Sequence, residues 1–414
     1  MSLERLEALR QDMKKCVRCS LCKLIPMPTI QQTRFTSACP PVDEYHFHAY
    51  SGGGIQVMAL ALLDGRITVD RDLAQIVSAC TTCGMCDVAC KFIMAAERQE
   101  VIMVLKEHIA KSDLDVPQKI KKRPTLTHWA DGLKLKILPE SKSDVLLLVG
   151  AGAHHNPQHA ASARKLAALL QHARIDFGIL EGYEPESGIE AYWTGQHQVF
   201  AEQAQEMAAR LEETGAKTIV TLCGEDLGML RSKYPNYGLA PQAKIVHASE
   251  FLLPLIQKGR LHLTHPIPQR VTYHDPCYLG RQSEPPQVWE GEERQTHGVM
   301  RYFVPPKPIN YGGNGVFDAP RQVLQAIPGL NFIEMHRIRE YAYCCGGGGG
   351  VPDSHPNVSQ SAANQRIEEA RYVDAEVLVT ACQHCRHNLT CWQEEIPLPV
   401  VDLIDLVYDA AGLD

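Results

Sequence analysis

Cys16, Cys19 and Cys22 are separated by two residues each, Cys80, Cys83 and Cys86 repeat that spacing, and Cys39 and Cys90 stand singly beside the two runs. Three thiolates at this spacing reach three corners of a [4Fe–4S] cube, and where one chain holds two cubes the fourth ligand of each comes from the other run. That logic groups Cys16, Cys19, Cys22 and Cys90 in one set, and Cys80, Cys83, Cys86 and Cys39 in the other. Crossed ligation would tie the runs together and bring two cubes close enough to exchange electrons. A zinc knuckle or a dithiol redox motif is the competing explanation of a Cys-x2-Cys pair. Neither accounts for two triplets, each matched by a distant single cysteine.

A second group lies near the other end of the chain: Cys277, the adjacent pair Cys344 and Cys345, and Cys382 with Cys385. Five thiols exceed what a cube takes. Adjacent cysteines cap one iron poorly but can reach neighbouring irons, and the glycines at 346–350 leave the backbone free to turn N–H groups toward sulfide. This suits a non-cubane cluster. Cys382 and Cys385 are expected where a strand runs into a helix, whose N-terminus favours negative charge.

The elements that must hold these thiols fall into two textures. Residues 1–112 read as a helical, cluster-bearing domain, with short helices at 55–64 and 72–79 and a closing helix at 93–112. A basic, proline-bounded linker is expected over 113–143, including Lys119, Lys121, Lys122 and Arg123. Strands then alternate with helices: strands at 145–149, 175–180, 218–222 and 245–247, helices at 160–173, 198–213 and 251–256. This is the pattern of a parallel sheet. It recurs, with 271–274 echoing 145–149, 331–335 echoing 175–180, 376–380 echoing 218–222, and 399–407 echoing 244–255. The fold class expected is α+β overall: a helical two-cluster domain, then duplicated α/β units at 144–260 and 270–414. The first unit has Ala151–Ala153, Gly182–Glu184, and Cys223 with Asp226 where the second keeps its thiols, so its site is degenerate.

The 414 residues, 45% hydrophobic and 21% charged, allow more than one core, and the formal charge of −7 gives no footprint for nucleic acid. No apolar run approaches a bilayer span. The chain begins as a charged amphipathic helix without an apolar leader, so its fifteen cysteines point to metal or catalysis in a reducing cytoplasm rather than to disulfides.

His274-Asp275-Pro276-Cys277-Tyr278-Leu279-Gly280-Arg281, with Cys344-Cys345-Gly346-Gly347-Gly348 and Cys382-x2-Cys385, resembles the CCG cysteine-rich domain of heterodisulfide reductases. With the ferredoxin-like part ahead of it, nearly the whole chain is similar to the D-type subunit of those enzymes and to the sulfite-reductase-associated K subunit. The resemblance implies two [4Fe–4S] cubanes and one non-cubane [4Fe–4S] cluster. The last would be held by Cys277, Cys344, Cys345, Cys382 and Cys385 and would reduce a disulfide in two one-electron steps. It also implies a hetero-oligomer, with a flavin-bearing or ferredoxin-like partner and a small disulfide or thiol as substrate; no flavin or nicotinamide fingerprint is present here. Three features depart from the family: Lys91, not proline, follows Cys90; one thiol set is degenerate; and sixty-six residues separate Cys277 from Cys344. The excess, about 283–312, reads as a surface insertion. The iron–sulfur subunit of a glycolate, lactate or glycerol-3-phosphate dehydrogenase shares this layout, as does a pure electron relay in a bifurcating or acyl-CoA-reducing assembly. His384 and His387 are candidate proton donors, His274 a structural strand-end residue, Cys391 a packed free thiol and Cys223 a relic.

Overall fold

The computed structural model describes residues 2–25, 33–112, 114, 128–296, 300–393 and 397–413. In the first part, helices Ser2–Ala8, Gly52–Leu63, Arg71–Ser78 and Gln99–Ala110 close around Leu6, Met13, Ile55, Leu73, Val77, Val101 and Leu105. Asp70 caps the third of these by accepting from Leu73 N at 2.8 Å. The single helix expected over 93–112 is two. Met85–Met94 ends at Ala95, which takes a left-handed φ of 45°, and Gln99–Ala110 starts afresh. Asp87 accounts for the restart: its Oδ1 accepts from Arg98 N at 2.6 Å and Gln99 N at 2.9 Å, capping the second helix from inside the first.

Two parallel sheets follow. The first contains β1 (Lys136–Leu138), β2 (Val145–Leu148), β3 (Gly178–Leu180), β4 (Thr218–Thr221) and β5 (Lys244–His247), in the order β1-β3-β2-β4-β5. The second contains β6 (Arg270–His274), β9 (Asn331–Phe332), β10 (Val377–Thr380) and β11 (Val400–Asp402), in the order β11-β10-β6-β9. Without β1 the two orders coincide, and so do the registers: Leu148 pairs with Thr221 as His274 pairs with Thr380, and Thr221 with His247 as Thr380 with Asp402. The inner strands β2, β4, β6 and β10 are buried on both faces because helices cover both sides of a parallel sheet, hence their near-continuous apolar runs. One core, with Leu147, Val220, Tyr273, Val379 and Leu403, joins both sheets.

Two expectations need correction. The linker region 113–143 lies partly outside the described residues, including Lys119, Lys121, Lys122 and Arg123. From 128 onward it is not linker, because Trp129 is buried and β1 forms the sheet's edge against β3. The insertion does reach the surface as a hairpin of β7 (Glu292–Thr296) and β8 (Met300–Val304), with Val288 fully exposed before it. Its neck, however, is buried: Glu284 accepts from Gly312 N at 2.5 Å and Asn314 Nδ2 at 2.7 Å, clasping both ends of the excursion.

Behind the second sheet, Arg337, Arg366 and Glu369 are fully buried, and Glu369 Oε2 takes both guanidiniums, at 2.9 and 2.7 Å. Burial opposes the Glu369 charge, but Arg366 and Arg337 outweigh it and hold the carboxyl below its usual range. Removing one member of such a buried group strands its partners without compensation. Glu369→Ala is therefore expected to lower unfolding stability by about 3–5 kcal/mol, read by urea denaturation under nitrogen. A loss below about 1 kcal/mol would contradict this role.

Candidate metal centres and their surroundings

Each thiol reaches its place from the end of an element. Cys16 follows helix Arg10–Lys14, and the chain turns around exposed Cys19 through left-handed Arg18 and Ser20 to buried Cys22. Cys90 projects from helix Met85–Met94, where burial raises its pKa and the guanidinium of Arg98 opposes that rise. The sulfurs of Cys16 and Cys22 face Gly53, where an added Cβ would lie 3.6 and 3.4 Å from them. Cys80 follows helix Arg71–Ser78 and accepts from Thr82 N at 3.4 Å. Cys39 stands at the N-cap of helix Pro40–Tyr45, its thiol pushed well up by burial first and then by Cys80 and Cys83. Cys86 is pushed up likewise, by burial, Asp87, and then Cys80 and Cys83. Cys39 and Cys86 thus each feel Cys80, Cys83 and Cys22, and Cys90 feels Cys22.

The second unit gathers the remaining five. Cys277 follows β6, Cys382 is the N-cap of helix Gln383–Cys391, and Cys385 sits in that helix's first turn, its N–H 3.3 Å from Cys382 Sγ. Cys345 Sγ and Cys385 Sγ are 3.2 Å apart. Hydrogen bonds from Cys344 and Cys385 hold Cys345 well below the usual thiol range, whereas its partner Cys385 is pushed well up. Gly346 N and Gly347 N point at Cys344 Sγ and Cys345 Sγ, at 3.3 and 3.4 Å. Gly348 and Gly349 serve another purpose. A Cβ on Gly349 would stand 2.4 Å from Cys80 O, so these glycines let the loop lie directly on the second cysteine run.

That contact joins the two parts of the site. Cys83 and Cys344 are buried in one cluster, with Cys277 packed against it. From Cys344 the thiols continue through its neighbour Cys345 to Cys385 and Cys382. Arg281 locks the junction, donating to Cys83 O at 2.7 Å, Ala342 O at 2.8 Å and Glu340 O at 3.0 Å. Gln282 and Gln99 both donate to Thr82 O. Asp275 orients the Cys277 loop through a bidentate pair with Arg321, at 2.6 and 2.8 Å, and by accepting from Arg339 N.

The surroundings fit iron–sulfur centres better than a packed core of thiols. All fifteen cysteines are free. Arg281 and Lys106 are buried with only carbonyl oxygens as hydrogen-bond acceptors, and Arg98 has the Asp12 carbonyl and the Gln56 amide; among the described residues no carboxylate forms an ion pair with any of them. Burial pushes the Lys106 amine down to about 8, with Cys80 alone opposing. Buried cations need a negative counterpart, and the groups that favour the charge on these three are the adjacent cysteines. Among the described residues ten buried side-chain atoms lack a hydrogen-bond partner, and two of them, Arg98 Nε and His274 Nε2, belong to residues beside the thiols. His274 accepts at Nδ1 from Arg366 Nε at 3.0 Å, so its proton sits on Nε2, which has no acceptor. A ring nitrogen of His274 lies within 4.8 Å of Cys345 Sγ and Cys385 Sγ, so inorganic sulfide there would accept that proton.

Other candidates divide. His384 does not simply face solvent: its Nδ1 is 3.4 Å from Glu225 Oε1, and its ring meets Trp193 edge-on. Burial lowers its pKa, but Glu225 and Cys223 more than offset this and keep the imidazolium protonated well above the usual range. Cys391 is not packed; it is exposed, beside His387. In the first repeat, buried Glu184 caps the end of β2 by accepting from Val149 N and Gly150 N. Burial raises it to about 8, and Asp226 to about 7. Sequence reasoning missed Arg98, Lys106, Arg281, Arg366 and Glu225. Only Glu225 carried a signal, its two-residue spacing from Cys223.

Residues 12–92 match the family model described as a 4Fe-4S dicluster domain, and residues 302–390 match the one described as a cysteine-rich domain. The chain is similar to the D-type subunit of the dihydromethanophenazine:CoB–CoM heterodisulfide reductase of Methanosarcina mazei, 29% identical over 82% of this chain and 78% of that one. It is also similar to the B-type subunit of the fumarate reductase (CoM/CoB) of Methanothermobacter marburgensis, 25% identical over 96% of this chain and 73% of that one. In fold it is like the crystal structure of a hypothetical protein from Helicobacter pylori, with a TM-score of 0.50, 10% identity, and coverage of 87% and 68%.

Cys19 and Cys391 are both exposed, so bare thiols would react alike. If Cys19 is bound to iron, brief iodoacetamide treatment under nitrogen is expected to alkylate Cys391 and spare Cys19, with both labelled after oxidative removal of iron. Equal labelling of the untreated protein, read by peptide mass spectrometry, would contradict a metal at Cys19.

Proposed function

We propose that this chain, an iron–sulfur protein like the D-type subunit of heterodisulfide reductases, passes electrons through two [4Fe–4S] cubes to a non-cubane [4Fe–4S] centre that reduces a disulfide. Cys16, Cys19, Cys22 and Cys90 would hold the first cube, and Cys39, Cys80, Cys83 and Cys86 the second. Cys277, Cys344, Cys345, Cys382 and Cys385 would hold the third centre. The observation that carries this reading is that Cys83 and Cys344, a thiol of the second set and a thiol of the third, are buried in one packed cluster. Bound there, the third centre supplies successive one-electron steps to a sulfur–sulfur bond.

The chain's own residues do the rest. Arg281 and Lys106 fix the loop of the second set against the glycines of the third, which keeps the two groups in register. His274 Nε2–H and the N–H groups of Gly346 and Gly347 stabilise negative charge on sulfur, which favours the reduced state. His384, partly exposed and protonated beside Cys385, is placed to give a proton to a released thiolate. Electrons enter from a flavin-bearing or ferredoxin-like partner, so the chain works within a hetero-oligomer in the cytoplasm. Among the described residues no helix is long and apolar enough to cross a membrane.

A second reading, an electron relay without chemistry of its own, is favoured by the first repeat, where Glu184 and Asp226 stand in place of a second thiol set. Anaerobic protein reduced with dithionite and then offered disulfides separates the two. Disulfide reduction predicts a thiol-dependent paramagnetic signal, abolished by Cys345→Ser while the signals of the two cubes persist. No response to any disulfide would leave only the relay.

A further inference from the structure

The five thiols of the second repeat do not close their site alone. Cys223 follows the end of β4 by the same two residues that separate Cys382 from β10, and the packing of the repeats sets these equivalent thiols against each other. Glu225 stands between them, buried, with Oε2 2.7 Å from Cys223 Sγ and Oε1 2.9 Å from Cys382 Sγ. Both sulfurs and a carboxylate oxygen lie within 4.8 Å of one another, close enough to surround one metal ion.

The donor inventory at Glu225 decides what it does. An ionised carboxylate only accepts. Among the described residues no lysine or arginine pairs with it; its neighbours are the two thiols and, at 3.4 Å, the ring of His384. Once Cys382 binds iron its sulfur carries no proton, so Oε1 loses that donor and faces a thiolate. Two anionic atoms 2.9 Å apart in a buried site repel unless a cation lies between them. The ring of His384 beside Oε1 offsets part of this charge, and iron on Cys382 is the cation that both atoms can share. Cys223, outside the five-thiol set, keeps its proton and donates it to Oε2, which aims Oε1 at the metal.

We propose that Glu225, supplied by the repeat that lost its own thiol set, is a sixth protein ligand of the five-cysteine centre, bound through Oε1 to the iron carried by Cys382 and exchangeable for a thiolate from solution. The proposal rests on the non-cubane centre proposed above. In the exchange one Fe–O bond breaks and one Fe–S bond forms; the entering thiol leaves its proton on the released Glu225 carboxylate and binds as thiolate, and no electron is transferred. Iron in a sulfur-rich site takes a soft thiolate in preference to a hard carboxylate. The carboxylate therefore caps this iron until the thiol product or substrate arrives.

The test uses holoprotein made under nitrogen with isotope-enriched iron, comparing wild type, Glu225→Gln and Glu225→Asp. Mössbauer spectra report the ligands of each iron, EPR reports titration with 2-mercaptoethanol, and the signals of the two cubes report folding. Glu225→Gln is expected to change the spectrum of one iron in the third centre and to lower the half-saturating thiol concentration roughly tenfold. Glu225→Asp, which keeps a carboxylate, should stay near wild type in both measurements. A third-centre spectrum and thiol titration unchanged in Glu225→Gln would overturn the proposal, and so would loss of that centre from both variants. A wild-type protein without any third-centre signal would instead remove the reading on which the proposal rests.

Discussion

The structure is organised by the need to hold negative charge on sulfur inside protein. A cysteine in an ordinary core behaves as a small hydrophobe and asks nothing of its neighbours. Here the thiols crowd one another, and their surroundings supply what a packed core would not: N–H groups from Gly346, Gly347 and Thr82, and the buried cations Arg98, Lys106 and Arg281. Those cations would be costly without an anion, since an unpaired buried charge loses several kcal/mol of solvation. Thiolates on iron, as proposed above, would complete the balance from the other side. Each partner makes the other tolerable, so the protein without metal is expected to be the less stable form.

The same constraint explains the arrangement of parts. On the reading proposed above, electrons pass between the second and third thiol sets where the glycine loop meets the second cysteine run. Any side chain at Gly349 would collide with Cys80 O, so the conformational freedom of that glycine sets the approach of the two groups. Arg281 and Lys106 then bridge the two parts by donating to carbonyls on both sides. The buried group of Arg337, Arg366 and Glu369 stands one layer behind and fixes the tautomer of His274 through Arg366. A hydrogen-bonded chain therefore runs from a buried ion pair to an imidazole that lies beside sulfur.

Much of this was legible in the chain itself. Thiol spacing carried the metal chemistry, because ligand geometry demands it, and strand–helix alternation carried the duplicated sheets, because parallel strands buried on both faces are apolar throughout. β1 was not legible: three residues, Lys136–Leu138, form an edge strand without alternation, behind a basic stretch. Nor was the reversal at Ala95, where no glycine or proline marks the turn and the cap comes from Asp87, eight residues earlier. Arg281 and Arg366 looked like ordinary polar positions, since a lone arginine does not reveal that it will be buried. The packing of Cys83 and Cys344 in one cluster was out of reach for a related reason. It depends on how two units dock, and the periodicity of neither contains that information.

Occupation of these thiols by three iron–sulfur centres is tested most directly by metal analysis. Iron, acid-labile sulfide and zinc should be determined per chain in protein prepared entirely under nitrogen. About twelve irons and no stoichiometric zinc are expected. A colourless preparation, or zinc in place of iron, would contradict three such centres.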